Sequence, residues 1–195
     1  KNSIYNFPLN KQVQKKAHNI TKKTIIYQGA VNKDRGIQLM IESMCYVNAK
    51  LYVVGDGDIF KNMRQYANEL NLSDKVFFKG KVGFDELFEI TKMADLGLSF
   101  EENTCLSYRY SLPNKIFDYI NAEIPILVSD LPEFRNIIEC YKVGQILESR
   151  DVQSVAKQIN LVLAIHKNNW STELLAAKKV YSWSVQEKKL LSFFK

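Results

Sequence analysis

The chain has 195 residues, of which 46% are hydrophobic and 25% charged, and its formal net charge is +6. This length and composition are typical of one globular domain with a substantial core, and they exclude a disordered chain. The longest apolar runs are strand-sized, and the leading residues lack the apolar core of a signal peptide, so no membrane span or secretion signal is predicted.

The surplus positive charge lies mainly near the two ends of the chain, where lysines are mixed with acidic residues. Because these lysines are not interleaved with aromatic residues, they predict solvated helix faces and no nucleic-acid partner. The three cysteines are widely spaced and there are only two histidines, so we expect reduced thiols in a cytoplasmic protein and no metal site. Since the sequence does not start with Met, we also expect a longer parent protein.

In chain order, residues 1–22 are polar with little periodicity and predict an interdomain linker. Six short apolar runs then predict strands, each followed by a helical pattern, and Asp85 is the predicted N-cap of the third helix. The predicted strands are Thr24–Tyr27, Leu51–Val54, Val76–Phe78, Leu96–Phe100, Pro125–Val128 and Val143–Leu147. The predicted helices cover about residues 37–47, 59–70, 85–94, 114–122, 134–140, 152–163, 172–180 and 185–194.

Strands that alternate with helices and read as continuous apolar runs are typical of a parallel sheet covered on both faces. The sequence therefore predicts an α/β fold with a doubly wound, six-stranded parallel sheet and extra C-terminal helices, over residues 23–195. Ligands of such sheets bind at the carboxyl ends of the strands, near the point where the strand order reverses. The candidate site residues are therefore in the loops after the strands.

The loops after the first two strands each contain a glycine, Gly29 and Gly55. In the first of these loops, Arg35 precedes the glycine that opens a helix, where free N–H groups and a cation can hold an anion. A tight turn with a surface arginine fits the same residues. The glycine-rich turn at Gly55 either allows close approach of a ligand or simply ends the strand.

The most informative segment is Ser111-Leu112-Pro113-Asn114-Lys115. Pro113 suits a helix start, and Ser111 and Asn114 are good capping residues. A lysine in the first turn opposes the helix dipole, so Lys115 is best explained by an anion bound at that helix N-terminus. One turn later, Asp118 is placed to accept hydrogen bonds from ribose hydroxyls.

Two acids, Glu101 and Glu102, follow the fourth strand and can contact a sugar. Adjacent residues of an extended chain point in opposite directions, so they do not form a general acid/base pair.

Several strings in the same order resemble the C-terminal domain of group 1 glycosyltransferases of the GT-B fold. They are IIYQG with Arg35-Gly36, LYVVGDG, VFFKG, ADLGL, SLPNKIFDY, PILVSD and the late YSWS. Asn6-Phe7-Pro8 also resembles the end of that family's interdomain linker.

This resemblance implies metal-free, retaining transfer of a sugar from a nucleoside-diphosphate sugar in glycan or polysaccharide biosynthesis, with no cofactor. The partners are the donor and an N-terminal acceptor-binding domain absent from this chain, so the isolated domain is expected to be inactive. It also implies that the base lies near Val82 and that Asp118 binds the ribose. Membrane association is expected only for the full-length enzyme, at the inner face of the membrane.

The implied catalytic pair is Lys115 and Arg35, which would stabilise the leaving diphosphate. The implied donor-binding residues are Gly29, Gly55, Val82, Glu102, Tyr110, Ser111, Leu112, Pro113, Asn114 and Asp118.

The sequence departs from the family pattern at three positions. Tyr110 stands where the first acid of E-x7-E is expected, so that Glu101 or Glu102 would substitute for it. Ala30 replaces a frequent arginine, and Glu123 replaces a glycine. Two alternatives to an active transferase therefore stay open: a non-catalytic nucleotide-sugar-binding or interaction module, and a GT-B sugar-nucleotide epimerase, which the scarcity of histidine disfavours.

Overall fold

The structure, a computed structural model, describes residues 4–11, 13, 22–166 and 168–194. In this part of the chain, six strands alternate with helices, and two helices and a short 3-10 helix follow the last α/β unit. The strands are β1 Lys23–Gln28, β2 Ala49–Val54, β3 Val76–Gly80, β4 Leu96–Ser99, β5 Ile126–Val128 and β6 Gly144–Ile146. The helices are α1 Ile37–Ser43, α2 Phe60–Glu69, α3 Phe84–Met93, α4 Leu106–Arg109, α5 Asn114–Asn121, α6 Pro132–Tyr141, α7 Val152–Ala164, α8 Asn168–Val180 and α9 Trp183–Leu191.

All six strands belong to one parallel sheet with the order β3-β2-β1-β4-β5-β6. The chain runs outward from β1 to β3, crosses back, and continues outward on the other side from β4 to β6. The strand order therefore reverses between β1 and β4, which pair through Ile25 with Leu96 and Ile26 with Gly97. This reversal opens a crevice between the loops that follow β1 and β4, and the predicted doubly wound α/β fold is confirmed.

The sheet separates two apolar clusters, because successive strand residues point to opposite faces. Ile25 and Tyr27 pack with α1 and α7 on one face, whereas Ile26 packs with α5 and α6 on the other. All three side chains are fully buried. Burial on both faces explains why the strands read as continuous apolar runs.

Several predicted boundaries were wrong by a few residues. Phe100 and Pro125 lie outside β4 and β5, and the segment expected to be irregular after β4 contains α4. Asp85 is not the N-cap of α3: Gly83 takes that position in an extended conformation. Asp85 lies in the first turn instead, where a negative charge favours the positive end of the helix dipole.

The first described residues pack against the end of the chain. Phe7 is buried, with its ring centroid 4.5 Å from that of Phe117 and 5.4 Å from that of Tyr181. The backbone N–H of Trp183 donates to the carbonyl of Pro8 over 2.9 Å. This part of the predicted linker is thus held against α5 and α9, whereas its residues 1–3, 12 and 14–21 lie outside the described residues.

Candidate functional site

The turns after β1 and β2 lie against each other at the carboxyl edge of the sheet. Gly29 has a φ of 131° and Gly55 a φ of 136°, values that favour glycine. A Cβ on Gly55 would overlap the carbonyl oxygen of Gly29. A Cβ on Gly29 would lie 3.5 Å from Lys115 Cε, an ordinary van der Waals distance, so this turn and that lysine are neighbours beside the crevice.

Helix α5 begins at this edge without a side-chain cap. Pro113 is its N-cap, and no side chain of the described residues accepts a hydrogen bond from its first N–H groups. The predicted capping roles of Ser111 and Asn114 are therefore wrong: Ser111 Oγ donates to the carbonyl of Tyr108 over 2.9 Å, and Asn114 is the first helical residue. An uncapped helix start leaves backbone donors and a partial positive charge available to an anion.

The lysine in the first turn of α5 is paired with a carboxylate of the chain itself. Lys115 Nζ lies 2.6 Å from Glu101 Oε1, and the Glu101 side chain is fully buried. Ser99 Oγ donates to the other carboxylate oxygen over 2.7 Å. The sequence predicted that an external anion compensates Lys115, but Glu101 supplies a negative charge within the fold.

Arg35 joins this pair from the loop after β1. Its Nη1 lies 3.3 Å from the same Glu101 oxygen, and its guanidinium lies 4.7 Å from the ring centroid of Tyr108. The buried Nε of Arg35 has no hydrogen-bond partner within the described ranges. Two cations and one carboxylate make the net charge of this group +1. We call Arg35, Glu101 and Lys115 the charge cluster.

Burial and pairing oppose each other in the charge cluster. Burial alone would raise the pKa of the Glu101 carboxyl, but the Lys115 ammonium and the Ser99 hydroxyl outweigh it and hold that pKa below its ordinary value. Burial holds the pKa of Lys115 below its ordinary value, and the charge of Glu101 counteracts part of this effect. The carboxylate thus favours the charged form of the lysine.

A cavity of about 450 Å³ lies between residues 6–11, α3 and α5, with Asp118 in its wall. Gln28 Nε2 donates to Asp118 Oδ2 over 2.8 Å, and Thr91 Oγ1 lies 2.7 Å from Gln28 Oε1. Burial raises the pKa of Asp118 to about 6. The apolar part of the lining consists of Phe7, Pro8, Leu9, Phe84, Leu87 and Phe88, and further polar residues are Asn6, Lys11, Asp85, Asn114 and Asn121. A cavity with apolar faces and several polar groups can hold a nucleoside.

Three predicted donor-binding residues have neighbours outside the charge cluster. Glu102 pairs with Arg150, and its carboxylate lies 3.2 Å from Arg150 Nη2. Tyr110 follows α4, is 57% exposed, and its ring centroid lies 5.6 Å from the Arg109 guanidinium. Val82 is half-buried against the core on the α3 side of the sheet.

The structure thus brings Gly29, Arg35 and Lys115 together, with Asp118 one turn further along α5. Sequence reasoning missed two positioning partners, Gln28 and Arg150. Gln28 could have been found from the sequence, because it is a polar residue at the end of an otherwise apolar strand. No sequence pattern distinguishes Arg150.

Within the described ranges, no three or more His, Cys, Asp or Glu residues are grouped so as to hold a metal ion. The same residues include no helix with the length and apolar character needed to cross a bilayer. The three cysteines, Cys45, Cys105 and Cys140, are exposed free thiols.

Residues 10–173 match the model of a protein family described as "Glycosyl transferases group 1". The chain is also 26% identical over 155 residues to N-acetyl-alpha-D-glucosaminyl L-malate synthase of Bacillus anthracis. That match covers 76% of this chain but 39% of the relative, so the chain spans about two fifths of the relative's length.

Two solved structures share the fold at low sequence identity. Anabaena Alr3699/HepE in complex with UDP has a TM-score of 0.74 and 14% identity, covering 89% of this chain and 48% of that chain. A mutant of S. aureus TarM in complex with fondaparinux, alpha-GlcNAc-glycerol and UDP has a TM-score of 0.73 and 20% identity. The match covers 99% of this chain and 39% of that chain.

Proposed function

The chain belongs to the group 1 family of glycosyl transferases, and we propose that it binds the nucleoside-diphosphate sugar donor of a glycosyl transfer in the crevice between β1 and β4. The observation that carries the proposal is the charge cluster beside the uncapped start of α5. Helix N–H groups, a partly exposed guanidinium and a nearby ammonium are the donors that a diphosphate needs.

In this proposal the donor lies along the edge of the sheet. The diphosphate faces Arg35 and the first turn of α5, and the nucleoside enters the neighbouring cavity, where Asp118 accepts from the ribose hydroxyls. The base lies toward Phe84 and the loop after β3. Both fold neighbours described above are complexes with UDP, so UDP is the first nucleotide to test.

Negative charge accumulates on the diphosphate as the bond to the sugar breaks. Cations and helix N–H groups already directed at that position stabilise the transition state without reorganising. In this account Arg35 and Lys115 supply the positive charge, with no bound metal, and the transfer retains the configuration of the sugar. The family resemblance supports these last two points.

The acceptor is proposed to bind on an N-terminal domain, because the chain spans less than half of each relative described above. By itself the chain would bind donor and turn over little. In the longer protein, the natural setting of the reaction is glycan or polysaccharide biosynthesis at the cytoplasmic side of a membrane.

A non-catalytic donor-binding module is the second candidate, favoured by Tyr110 at a position where an acid is expected. Turnover by the longer protein separates the two candidates. An active transferase should lose more turnover than donor affinity when Lys115 is replaced by Ala, because the negative charge on the diphosphate is larger in the transition state than in the bound donor. A module shows no turnover before or after that substitution.

Donor binding is tested by the melting temperature of the chain with UDP, GDP and ADP. We expect at least one of them to raise the melting temperature, because a ligand that binds only the folded state stabilises it. The rise should be lost in Lys115→Met. In Lys178→Met, which removes a similarly buried lysine paired with Glu123 at 2.9 Å, it should persist. No rise with any nucleotide contradicts the proposal, and so does an undiminished rise in Lys115→Met.

A further inference from the structure

A carboxylate stands inside the group of cations proposed to bind a diphosphate. The Glu101 side chain is fully buried and ionised, since the pKa of its carboxyl lies below its ordinary value. By itself such a charge repels a phosphate, so its presence needs a reason. Neither the family match nor the proposed donor site supplies one.

The reason lies in the two cations that Glu101 joins. Oε1 lies 2.6 Å from Lys115 Nζ and 3.3 Å from Arg35 Nη1, so one oxygen contacts groups from α5 and from the loop after β1. Without it, two like charges would face each other. Lys115, only 6% exposed, would also be a buried ammonium without a counter-charge, a state that strongly favours loss of its proton.

Glu101 is itself fixed by a contact within its own strand end. Ser99 Oγ donates to Oε2 over 2.7 Å, which leaves Oε1 to the cations. The carboxylate therefore has a defined orientation before any ligand arrives. Such preorganisation is what makes a charged site effective when charge develops on a ligand.

We propose that Glu101 is a positioning residue for donor binding, which keeps Lys115 protonated and adjacent to Arg35 so that a group with net charge +1 faces the diphosphate. This inference rests on the proposed function. It assigns Glu101 no contact with the sugar. The carboxylate acts through the two cations.

The proposal predicts how pH affects affinity when the carboxylate is replaced by an amide. Glu101→Gln keeps nearly the same shape, and its amide oxygen still accepts from Lys115. Lys115 then loses its proton more easily, because burial is no longer opposed by a negative charge. Donor binding must restore that proton, so affinity falls as pH rises.

Other titratable groups near Lys115 do not produce the same profile. Tyr27 lies 4.3 Å from Lys115 Nζ, and burial raises its pKa well above the ordinary value. Burial likewise raises the pKa of Tyr119, which lies near Glu101 and Asp118. Burial raises the pKa of Asp118 to about 6. Between about pH 7 and about pH 9, Lys115 is thus the group of this set whose charge depends on Glu101.

The experiment is calorimetric titration of UDP, GDP and ADP into the chain across this pH range. For the nucleotide that binds, we expect the Kd of the unsubstituted chain to change less than about twofold. In Glu101→Gln the Kd should rise at least about tenfold between about pH 7 and about pH 9, as the ammonium is lost. Glu101→Asp keeps the negative charge and should restore a flat profile, even at lower affinity.

Glu123→Gln is the matched control, because it removes the carboxylate of another largely buried lysine pair, Glu123 with Lys178. It should leave both Kd and its pH profile unchanged. NMR of the Lys115 Cε–Nζ group gives a readout that needs neither ligand nor a folded Gln variant. In the unsubstituted chain we expect an ammonium at about pH 7.

The outcomes separate the two proposals. A flat pH profile in Glu101→Gln, with the affinity of the unsubstituted chain, overturns the role of Glu101 but leaves donor binding intact. A neutral Lys115 at about pH 7 in the unsubstituted chain also overturns it. If the unsubstituted chain binds no nucleotide, the proposed function fails, and the inference fails with it.

Discussion

At the scale of single residues, the ionised carboxyl of Asp118 suits ligand binding but lowers the stability of the fold. Its carboxyl lies in the wall of the cavity between residues 6–11, α3 and α5 and accepts a hydrogen bond from Gln28. Burial raises its pKa to about 6 from an ordinary value of 3.8. The folded state therefore holds a proton that the unfolded state releases at lower pH, and ionisation at neutral pH destabilises the fold.

Asp118→Asn should remove this penalty and leave an acceptor for Gln28. Below about pH 4 the variant and the unsubstituted chain should have the same free energy of unfolding. As pH rises from about 4 to about 6, the unsubstituted chain loses relative stability, and above that range the variant should be more stable by on the order of 2 kcal/mol. Urea unfolding across these pH values measures the difference. Asp74→Asn, at an exposed site, should show none. An Asp118→Asn variant that follows the unsubstituted chain throughout contradicts the account.

Sequence reasoning identified Lys115 and Asp118 because helix spacing places them one turn apart at a helix start. It did not identify which of Glu101 and Glu102 faces the lysine. Both follow the same strand, and their opposite orientation was predictable, but the direction of each depends on contacts from distant segments. Arg150, which pairs with Glu102, comes from the loop before α7 and leaves no mark in the local sequence.

At the scale of elements, the turns after β1 and β2 are the least tolerant parts of the crevice. Gly55→Ala would place a methyl group against the backbone of Gly29 at a φ of 136°, so we expect a loss of about 3 kcal/mol or more in the free energy of unfolding. Gly83 has an extended conformation, and a methyl group added there would meet no atom within 4 Å. Gly83→Ala should therefore lose no more than about 1 kcal/mol, the usual effect of Ala at an N-cap.

Thermal or urea unfolding of the two alanine variants measures this contrast. Equal losses in both would contradict the close packing of the two turns. A Gly55→Ala variant whose free energy of unfolding is close to that of the unsubstituted chain would also contradict it.

The elements themselves were largely predictable because burial on both faces gives each strand a continuous apolar run. All six strands were predicted, and apart from one short helix the errors lie at the ends of elements and at helix caps. The helix α4 was not predicted, since its four residues include none that are buried and so show no apolar periodicity. Physical cues at a boundary are weaker than those in a core.

At the scale of the whole molecule, strand order decides where function can lie. The alternation of strands and helices predicts a doubly wound sheet with a reversal of strand order, but only the tertiary structure shows that the reversal lies between β1 and β4. It brings the loop carrying Arg35 beside the strand end carrying Glu101, 66 positions later in the chain. The first described residues and the last helices pack together on the same side as α5.

The most direct test of the account is the map of backbone amide shifts when UDP, GDP or ADP is added to the isotope-labelled chain. For the nucleotide that binds, we predict that the largest changes occur at Gly29, Asn114 and Lys115 and saturate together. A separate open groove between α7 and the loop after α1, lined by Tyr46 and Lys157, should be unaffected. Unchanged amides around the crevice, or the largest changes in that groove, would contradict the central claim that the donor diphosphate binds between β1 and β4.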